Sequence, residues 1–420
     1  MTDSRVLFTT MFEAAVAAAD PFRIIREFLP PRPKGRTVVI GAGKASAQMA
    51  AAFEAIWDGP LEGVVVTRYG YGAQCERIEV LEAAHPVPDG AGLAATGRLF
   101  AAVKGLTADD LVVALISGGG SALLPAPPPG MILADEIAVN EALLSSGAPI
   151  AAMNTVRKHL STIKGGRLAL ASHPARVVSL IVSDIPGDEP ALVASGPTVA
   201  DRANRQDALD IIEAHGLKLP AAAMQHLHDK AADAPAPDDP RLAGNEIHII
   251  ASAARSLEAA ACVAVRQGIE AVILSDAIEG EARDVASVHA AIAREIVTRN
   301  RPFKKPVLLL SGGETTVTLR DKGGLGGRNT EFLLALTLAI DGIEGIDAFA
   351  ADTDGIDGKG ENAGAFTDWL MAARMRAAGI DPRASLARHD AGAAFAAVDS
   401  LFSPGPTGTN VNDIRAILIR

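Results

Sequence analysis

Short apolar runs alternate with longer stretches in which hydrophobic residues recur every three or four positions, the pattern of a parallel sheet covered by helices. Runs at 37–40, 63–66, 111–116 and 177–182 predict buried strands. Residues 44–57 predict a helix, with Met49, Phe53 and Trp57 on one face. Connections of this kind suit right-handed crossovers. The segment AADAPAPDDP at 231–240 has no apolar period and marks a domain boundary, giving an N-terminal domain over 1–235 and a C-terminal domain over 244–420. A second α/β series follows, with strands near 247–251, 271–274, 307–310 and 347–350 and a closing strand at 414–419. One echo links the halves: LVVALISGGGSAL and PVLLLSGGETTVT both run from a buried strand into Ser-Gly-Gly.

Composition narrows the function. A chain of 420 residues, 49% apolar, supports two cores. Aromatic residues are only 4% of the chain, too few for the stacking platforms of single-stranded nucleic-acid binders. A net charge of −11 argues against a general phosphate-backbone binder, so any anion site is local. Cys75 and Cys262 form no ligand spacing or disulfide framework, which fits a reducing compartment. The amphipathic N-terminus is unlike a signal peptide, and no apolar run reaches the ~18 residues a membrane span needs. The expectation is a cytoplasmic protein with neither nucleic acid nor membrane as partner.

Chemistry is concentrated in loops. TVVIGAGKAS runs from a strand through Gly41 and Gly43 to Lys44 at a helix start, where backbone N–H groups favour an anion but the macrodipole disfavours the lysine unless an anion is bound. The loop lacks the third glycine or alanine of a dinucleotide fingerprint, the next strand ends in Thr67-Arg68 rather than an acid, and Val38 replaces the first glycine of a Walker loop. An ordinary strand-to-helix turn is the plain alternative. Ser117-Gly118-Gly119-Gly120-Ser121 follows a strong strand signal and predicts an N–H nest for phosphate at a strand's carboxyl end, or a flexible turn. In MNTVRKHLSTIKGGRLA, an apolar stripe of Met153, Val156, Leu160 and Ile163 leaves Asn154, Arg157, Lys158, Ser161 and Lys164 beside it. That polar face is either solvated or turned toward an anion.

Two acidic loops offer hard oxygen donors suited to Mg²⁺: Asp184 and Asp188 after one strand, and Asp352, Asp354 and Asp357 after another. Asx-turns would explain either. The loop from Gly323 to Asn329 leads into an apolar helix and puts Arg328 at its start, where its planar fork could grip a carboxylate or phosphoryl group. Ser311, Gly312, Gly313 and Glu314 form the second Ser-Gly-Gly turn. The nine histidines form no ligand cluster.

Taken in order, GAGKAS, SGGGSAL, NTVRKHLSTIKGGRLA, SDIPGD, ASGPT, LSGGETTVT, GGRNTEF, DTDGIDG and GPTGTNVND resemble the motif series of the glycerate 2-kinase family, whose C-terminal part is the MOFRL domain. The likeness runs from about residue 6 to the C-terminus. Gly120 adds a glycine to the first Ser-Gly-Gly loop, and AADTDG varies at its leading residues. The resemblance implies an N-terminal Rossmann-like parallel sheet flanked by helices, a smaller C-terminal α/β domain, an active-site cleft between them, and ATP-dependent phosphorylation of D-glycerate to 2-phosphoglycerate with Mg²⁺. It places family cations on Lys44 and Arg328 and the acidic loop on Asp352, Asp354 and Asp357. A homodimer is compatible with it.

On this reading Lys44, Arg328, Asp184 and Asp354 are the catalytic candidates. Gly43, Ser117 to Ser121, Asn154, Lys158 and Ser311 to Glu314 hold phosphate or substrate, and Asp188, Asp352 and Asp357 hold metal. Some relatives carry a hydroxypyruvate reductase label. An NAD(P)H-dependent reductase of that kind is one rival, and a non-catalytic sensor of a phosphorylated metabolite is another.

Overall fold

The computed structural model describes residues 3–319 and 324–420 and divides into two compact units. One spans Pro21–Ile250; the other joins the N-terminal segment up to Asp20 to Ala251–Arg420.

In the first unit, β1 (Thr37–Ala42), β2 (Glu62–Arg68), β3 (Ile78–Ala83), β4 (Leu111–Ser117), β5 (Arg176–Val182) and β6 (Glu246–Ala251) form one sheet in the order β3-β2-β1-β4-β5-β6. From β3 through β5 every pairing is parallel. Each residue of β1 and β4 is buried, which is why these strands read as unbroken apolar runs rather than alternating ones. Val38, Ile40, Val112, Ala114, Ile116, Val177 and Ile181 build the core against helix Gly90–Ala102 and its neighbours. The 247–251 strand thus lies at the edge of this sheet, not in the second series to which the sequence reading assigned it. Strand β3 and its mixed burial escaped that reading altogether.

In the second unit, β7 (Glu270–Ser275), β9 (Val307–Gly313), β11 (Ile346–Asp352), β12 (Gly364–Asp368), β13 (Leu401–Phe402) and β14 (Asp413–Ile419) form a mixed sheet ordered β13-β12-β11-β14-β9-β7, and β8 (Gly280–Glu281) pairs with β10 (Thr315–Thr316). Strand β14 is antiparallel to both β9 and β11. One sheet face packs against helices Ala282–Arg299 and Arg328–Ala339. The other packs against helices Ala253–Arg266 and Ser4–Ala17.

The first helix therefore belongs with the C-terminal half, although residues 1–235 read as one domain from the sequence. Its burial explains why. Leu7, Phe8, Met11 and Phe12 are all at most 2% exposed, Phe8 stacks on Phe349 at 5.8 Å, and Phe12 meets Phe402 edge-on at 4.9 Å. Among the described residues no helix is long and apolar enough to cross a membrane.

Phe8→Ala should destabilise the second unit by about 3–5 kcal/mol, the usual loss for emptying a buried aromatic site. Urea unfolding of the full chain measures it, and a change under about 1 kcal/mol would mean that the helix adds little to this core.

Candidate active site

In a sheet of this order the chain leaves β1 and β4 in opposite lateral directions, and the carboxyl ends of two such adjacent strands are where open α/β sheets take ligands. Gly43 sits there with φ +139°, and a Cβ at this position would stand 2.2 Å from Ser117 Oγ. Only glycine lets the loops close this far. They are then laced together: Lys44 N–H donates to the Gly118 carbonyl (2.9 Å) and Ala45 N–H to Ser117 Oγ (3.0 Å). These two amides serve the fold, whereas the sequence reading offered the helix start to an anion. Lys44 itself precedes the helix, which begins at Ser46.

The next glycines fix what surrounds the loop. A Cβ on Gly118 would lie 1.7 Å from Asp184 Oδ2, so that carboxylate rests directly on the glycine. A Cβ on Gly119, whose φ is +79°, would lie 3.0 Å from His85 Nε2 and 3.2 Å from Lys44 Cγ. Gly120 abuts Ala194, where a Cβ would come within 2.6 Å. Lys44, His85 and Asp184 thus flank one stretch of backbone. Burial, reinforced by the positive charges of Lys44 and Arg68, pushes His85 down to about 4 from its ordinary 6.5.

A polar chain continues from there: Ser121 Oγ and Ser195 Oγ are 2.7 Å apart, Ser195 Oγ donates to Asn154 Oδ1 (3.1 Å), and Asn154 Nδ2 reaches the Leu192 carbonyl (3.2 Å). Ala194, Ser195 and Gly196 are consecutively left-handed, with φ of +52°, +60° and +58°. Such backbone costs about 1–2 kcal/mol for each non-glycine residue.

Helix Ile150–His159 carries Asn154 but ends before Lys164. Its polar side is buried rather than solvated. Lys158 pairs with Asp201, Lys164 Nζ bonds Glu136 Oε1 (3.0 Å) and the Leu124 carbonyl (2.7 Å), and Arg167 donates to the carbonyls of Lys158 (2.7 Å) and Ala232 (2.8 Å). These cations hold the fold together. Asp188 closes the short turn Pro186–Asp188 in a left-handed conformation, φ +53°.

In the second unit a charged cluster forms where β9 and β11 end and β14 begins. The register sets Asp413 opposite both Gly313 and Asp352. Arg328, first residue of helix Arg328–Ala339, answers them: its Nε bonds Asp413 Oδ1 (2.9 Å) and Oδ2 (3.0 Å), one Nη bonds Asp352 Oδ2 (2.6 Å), and the other meets Glu314 (3.1 Å). Burial opposes the Arg328 charge, but Asp413, Asp352 and Glu314 outweigh it and raise its pKa. Burial and then repulsion from Asp413 push Asp352 well above the usual carboxylate range, against the pull of Arg328. Asp354 N–H donates to Asp352 Oδ1 (3.0 Å), and Asp354 Oδ1 accepts from Ile356 N–H (2.8 Å).

Two sequence candidates have other duties here. Asp357 caps the helix, accepting from the N–H groups of Asn329 (2.9 Å) and Thr330 (2.9 Å) and from the Thr330 hydroxyl (2.8 Å), so its oxygens are engaged by protein rather than offered to a metal. Ser311 is buried against His289 Nε2 at 3.0 Å. Gly313 needs its φ of +103°, since a Cβ would come within 2.3 Å of the Ile278 amide. Gly323 lies outside the described residues.

Among the described residues no three His, Cys, Asp or Glu side chains form a ready-made metal cage. Mg²⁺ needs only one or two carboxylates when water and phosphate complete its shell. Asp354, half-buried beside Asp352, is the donor that fits this use.

Of the residues singled out from the sequence, Gly43, Lys44, Ser117 to Ser121, Asn154 and Asp184 lie together in one unit, and Gly313, Glu314, Arg328, Asp352 and Asp354 lie together in the other. The sequence reading missed His85, Ser195, Asn329, Asp413 and Arg415. Asp413 closes GPTGTNVND, and its strand neighbour two positions on is an arginine, which places both side chains on one face of β14.

Comparison with known proteins gives concordant matches. A family described as a domain of unknown function, DUF4147, matches residues 7–228, and the MOFRL family matches residues 307–413. A D-glycerate 2-kinase of Thermotoga maritima is 38% identical over 95% of this chain and 94% of its own length. An Agrobacterium vitis protein with a provisional hydroxypyruvate reductase name is 54% identical over 99% of this chain and 94% of its own. A crystal structure of glycerate kinase from Thermotoga maritima superposes with a TM-score of 0.88 at 37% identity, covering 99% of both chains.

His85 binds a proton less readily folded than unfolded, so stability should fall as pH drops from 6.5 toward 4. His85→Asn should flatten that slope in urea unfolding compared at about pH 7 and about pH 5. An unchanged slope would place the acid sensitivity elsewhere.

Proposed function

The chain belongs to the glycerate kinase family, and from that premise we propose that it transfers the γ-phosphoryl group of ATP to the 2-hydroxyl of D-glycerate with Mg²⁺. The observation that carries this reading is Arg328, a guanidinium fixed on three sides by carboxylates at the start of a helix. Phosphoryl transfer asks a protein mainly to position reactants and neutralise charge on the transferring oxygens, and it needs no strong nucleophile. A planar cation with fixed orientation meets that demand.

Lys44 supplies the second cation. Its stem lies against Gly119 in the crevice where open α/β sheets take ligands, and that loop keeps its glycines where the backbone must come close. Asp184, resting on Gly118, is placed to accept the acceptor hydroxyl's proton or to orient that hydroxyl. Asp354, with Asp352 behind it, would hold the magnesium ion, which when bound neutralises phosphate charge. Asp357 and Ser311 are left out of the mechanism, and Asp188 keeps a role only at the rim of the Asp184 loop.

The reductase alternative lacks support in the first unit. The loop after β1 has no dinucleotide fingerprint, and Arg68, at the end of β2, lies over the Tyr71 ring at 4.0 Å.

Incubation with ATP, Mg²⁺ and D-glycerate should yield 2-phosphoglycerate by phosphorus NMR. Lys44→Ala and Arg328→Ala should each lower kcat by roughly 10²- to 10³-fold, as expected when one charge-stabilising donor is lost. Hydroxypyruvate-dependent nicotinamide oxidation without phosphorylation would overturn the proposal, and wild-type turnover in either variant would remove that residue from the mechanism.

A further inference from the structure

Among the described residues the largest fully buried side chain is a charged one, Arg415, with no exposed side-chain surface. It lies two residues beyond Asp413 on β14 and on the same strand face. One Nη donates to Asp413 Oδ2 (2.6 Å), to the Gly313 carbonyl (3.4 Å) and to Thr315 Oγ1 (3.3 Å). The other donates to the Gly312 carbonyl (3.2 Å), and the guanidinium carbon stands 5.5 Å over the Phe332 ring. These partners lie on the second Ser-Gly-Gly turn, on β10 just after it, on the helix that begins with Arg328, or on Asp413 itself.

We infer that Arg415 is a positioning residue for the phosphoryl transfer: it anchors Asp413 from behind, and Asp413 in turn orients the guanidinium of Arg328. The geometry separates the two arginines. Arg328 bonds both Asp413 oxygens through Nε and also touches Asp352 and Glu314, whereas Arg415 bonds Asp413 Oδ2 and, among the described residues, ion-pairs with that carboxylate alone. Asn329 Nδ2 adds a donor to Asp413 Oδ1 (2.8 Å). Without Arg415, two buried carboxylates in register would share a single cation, and the carbonyls of Gly312 and Gly313 would each lose a guanidinium donor, Gly312 keeping the Ile278 N–H (3.1 Å). An isolated buried charge is strongly unfavourable, so Asp413 would shift and Arg328 would lose its fixed plane.

This inference rests on the role proposed for Arg328, and the test keeps the two apart. Arg415→Met fills the same space without the charge. In the otherwise wild-type chain it should lower kcat roughly 10- to 100-fold, the scale seen for residues that hold a functional group in place, with KM for glycerate changed far less.

In an Arg328→Ala chain the same substitution should change kcat less than about 2-fold, because the residue it positions is gone. Equal losses in both backgrounds would overturn the inference and leave Arg415 as a structural residue. A wild-type rate for Arg328→Ala would instead sink the reading beneath it. Should Arg415→Met fail to accumulate folded, Asp413→Asn carries the same cycle with the shape retained, and additive losses there overturn the inference equally. Arg415→Lys, which retains the charge, should recover part of the rate lost in Arg415→Met; no recovery counts against it.

Discussion

Two buried carboxylates facing each other across paired strands would repel strongly in a medium of low dielectric, and the second unit is organised around making that arrangement tolerable. Asp352 and Asp413 are placed opposite each other by the register of β11 and β14, and the antiparallel run of β14 brings its first residue to the end where β9 and β11 finish. Arg328 and Arg415 supply the opposing charge from two sides. A guanidinium locked by several acceptors loses the rotamer freedom that a surface arginine retains. The cluster therefore fixes direction as much as it balances charge.

The first unit solves a different problem by steric means. Its crevice depends on backbone approaching backbone: Gly41 lies where a Cβ would be 2.4 Å from the Leu115 carbonyl, and Gly43 and Gly118 have even less room. Removing side chains lets Ser117 bridge the loop after β1 and lets Asp184 lie flat on Gly118. The left-handed run from Ala194 to Gly196 extends the same economy of space, since it turns the Ser195 hydroxyl between Ser121 and Asn154. Strain of this kind persists only where surrounding contacts over-determine it. Here Ala194 packs on Gly120 and the Ser195 carbonyl accepts from Gly165 N–H (3.0 Å).

Much of this was legible in the residues. Buried parallel strands announce themselves as apolar runs, so β1, β2, β4 and β5 were found, while β3, where Glu79 and Glu82 stand three apart and break both a continuous apolar run and a strict alternation, went unread. The sheet to which 247–251 belongs could not be read from its own sequence, because pairing partners are set by tertiary packing rather than by local pattern. The helix Ser4–Ala17 shows its apolar face plainly but not which core covers it.

At the site, glycine-rich turns and isolated cations were visible, whereas Asp413 and Arg415 are the first and third residues of a strand, DIRAILI, that gives no loop signal. Polar residues at alternate positions of a buried strand were the available clue. His85 was hidden for the opposite reason: it belongs to no cluster in sequence and gains meaning only beside Gly119 and Lys44.

Charge placement explains how an acidic chain handles anions. With a net charge of −11 the protein as a whole does not attract a negatively charged substrate. Lys158, Lys164 and Arg415 are also buried with partners, so they add nothing to the outer field. Recognition of an anion must then come from contacts made at close range, where N–H dipoles and a few fixed cations act in a desolvated setting and are worth far more than in water. On the proposed reading, Lys44 and Arg328 gain their importance from that background.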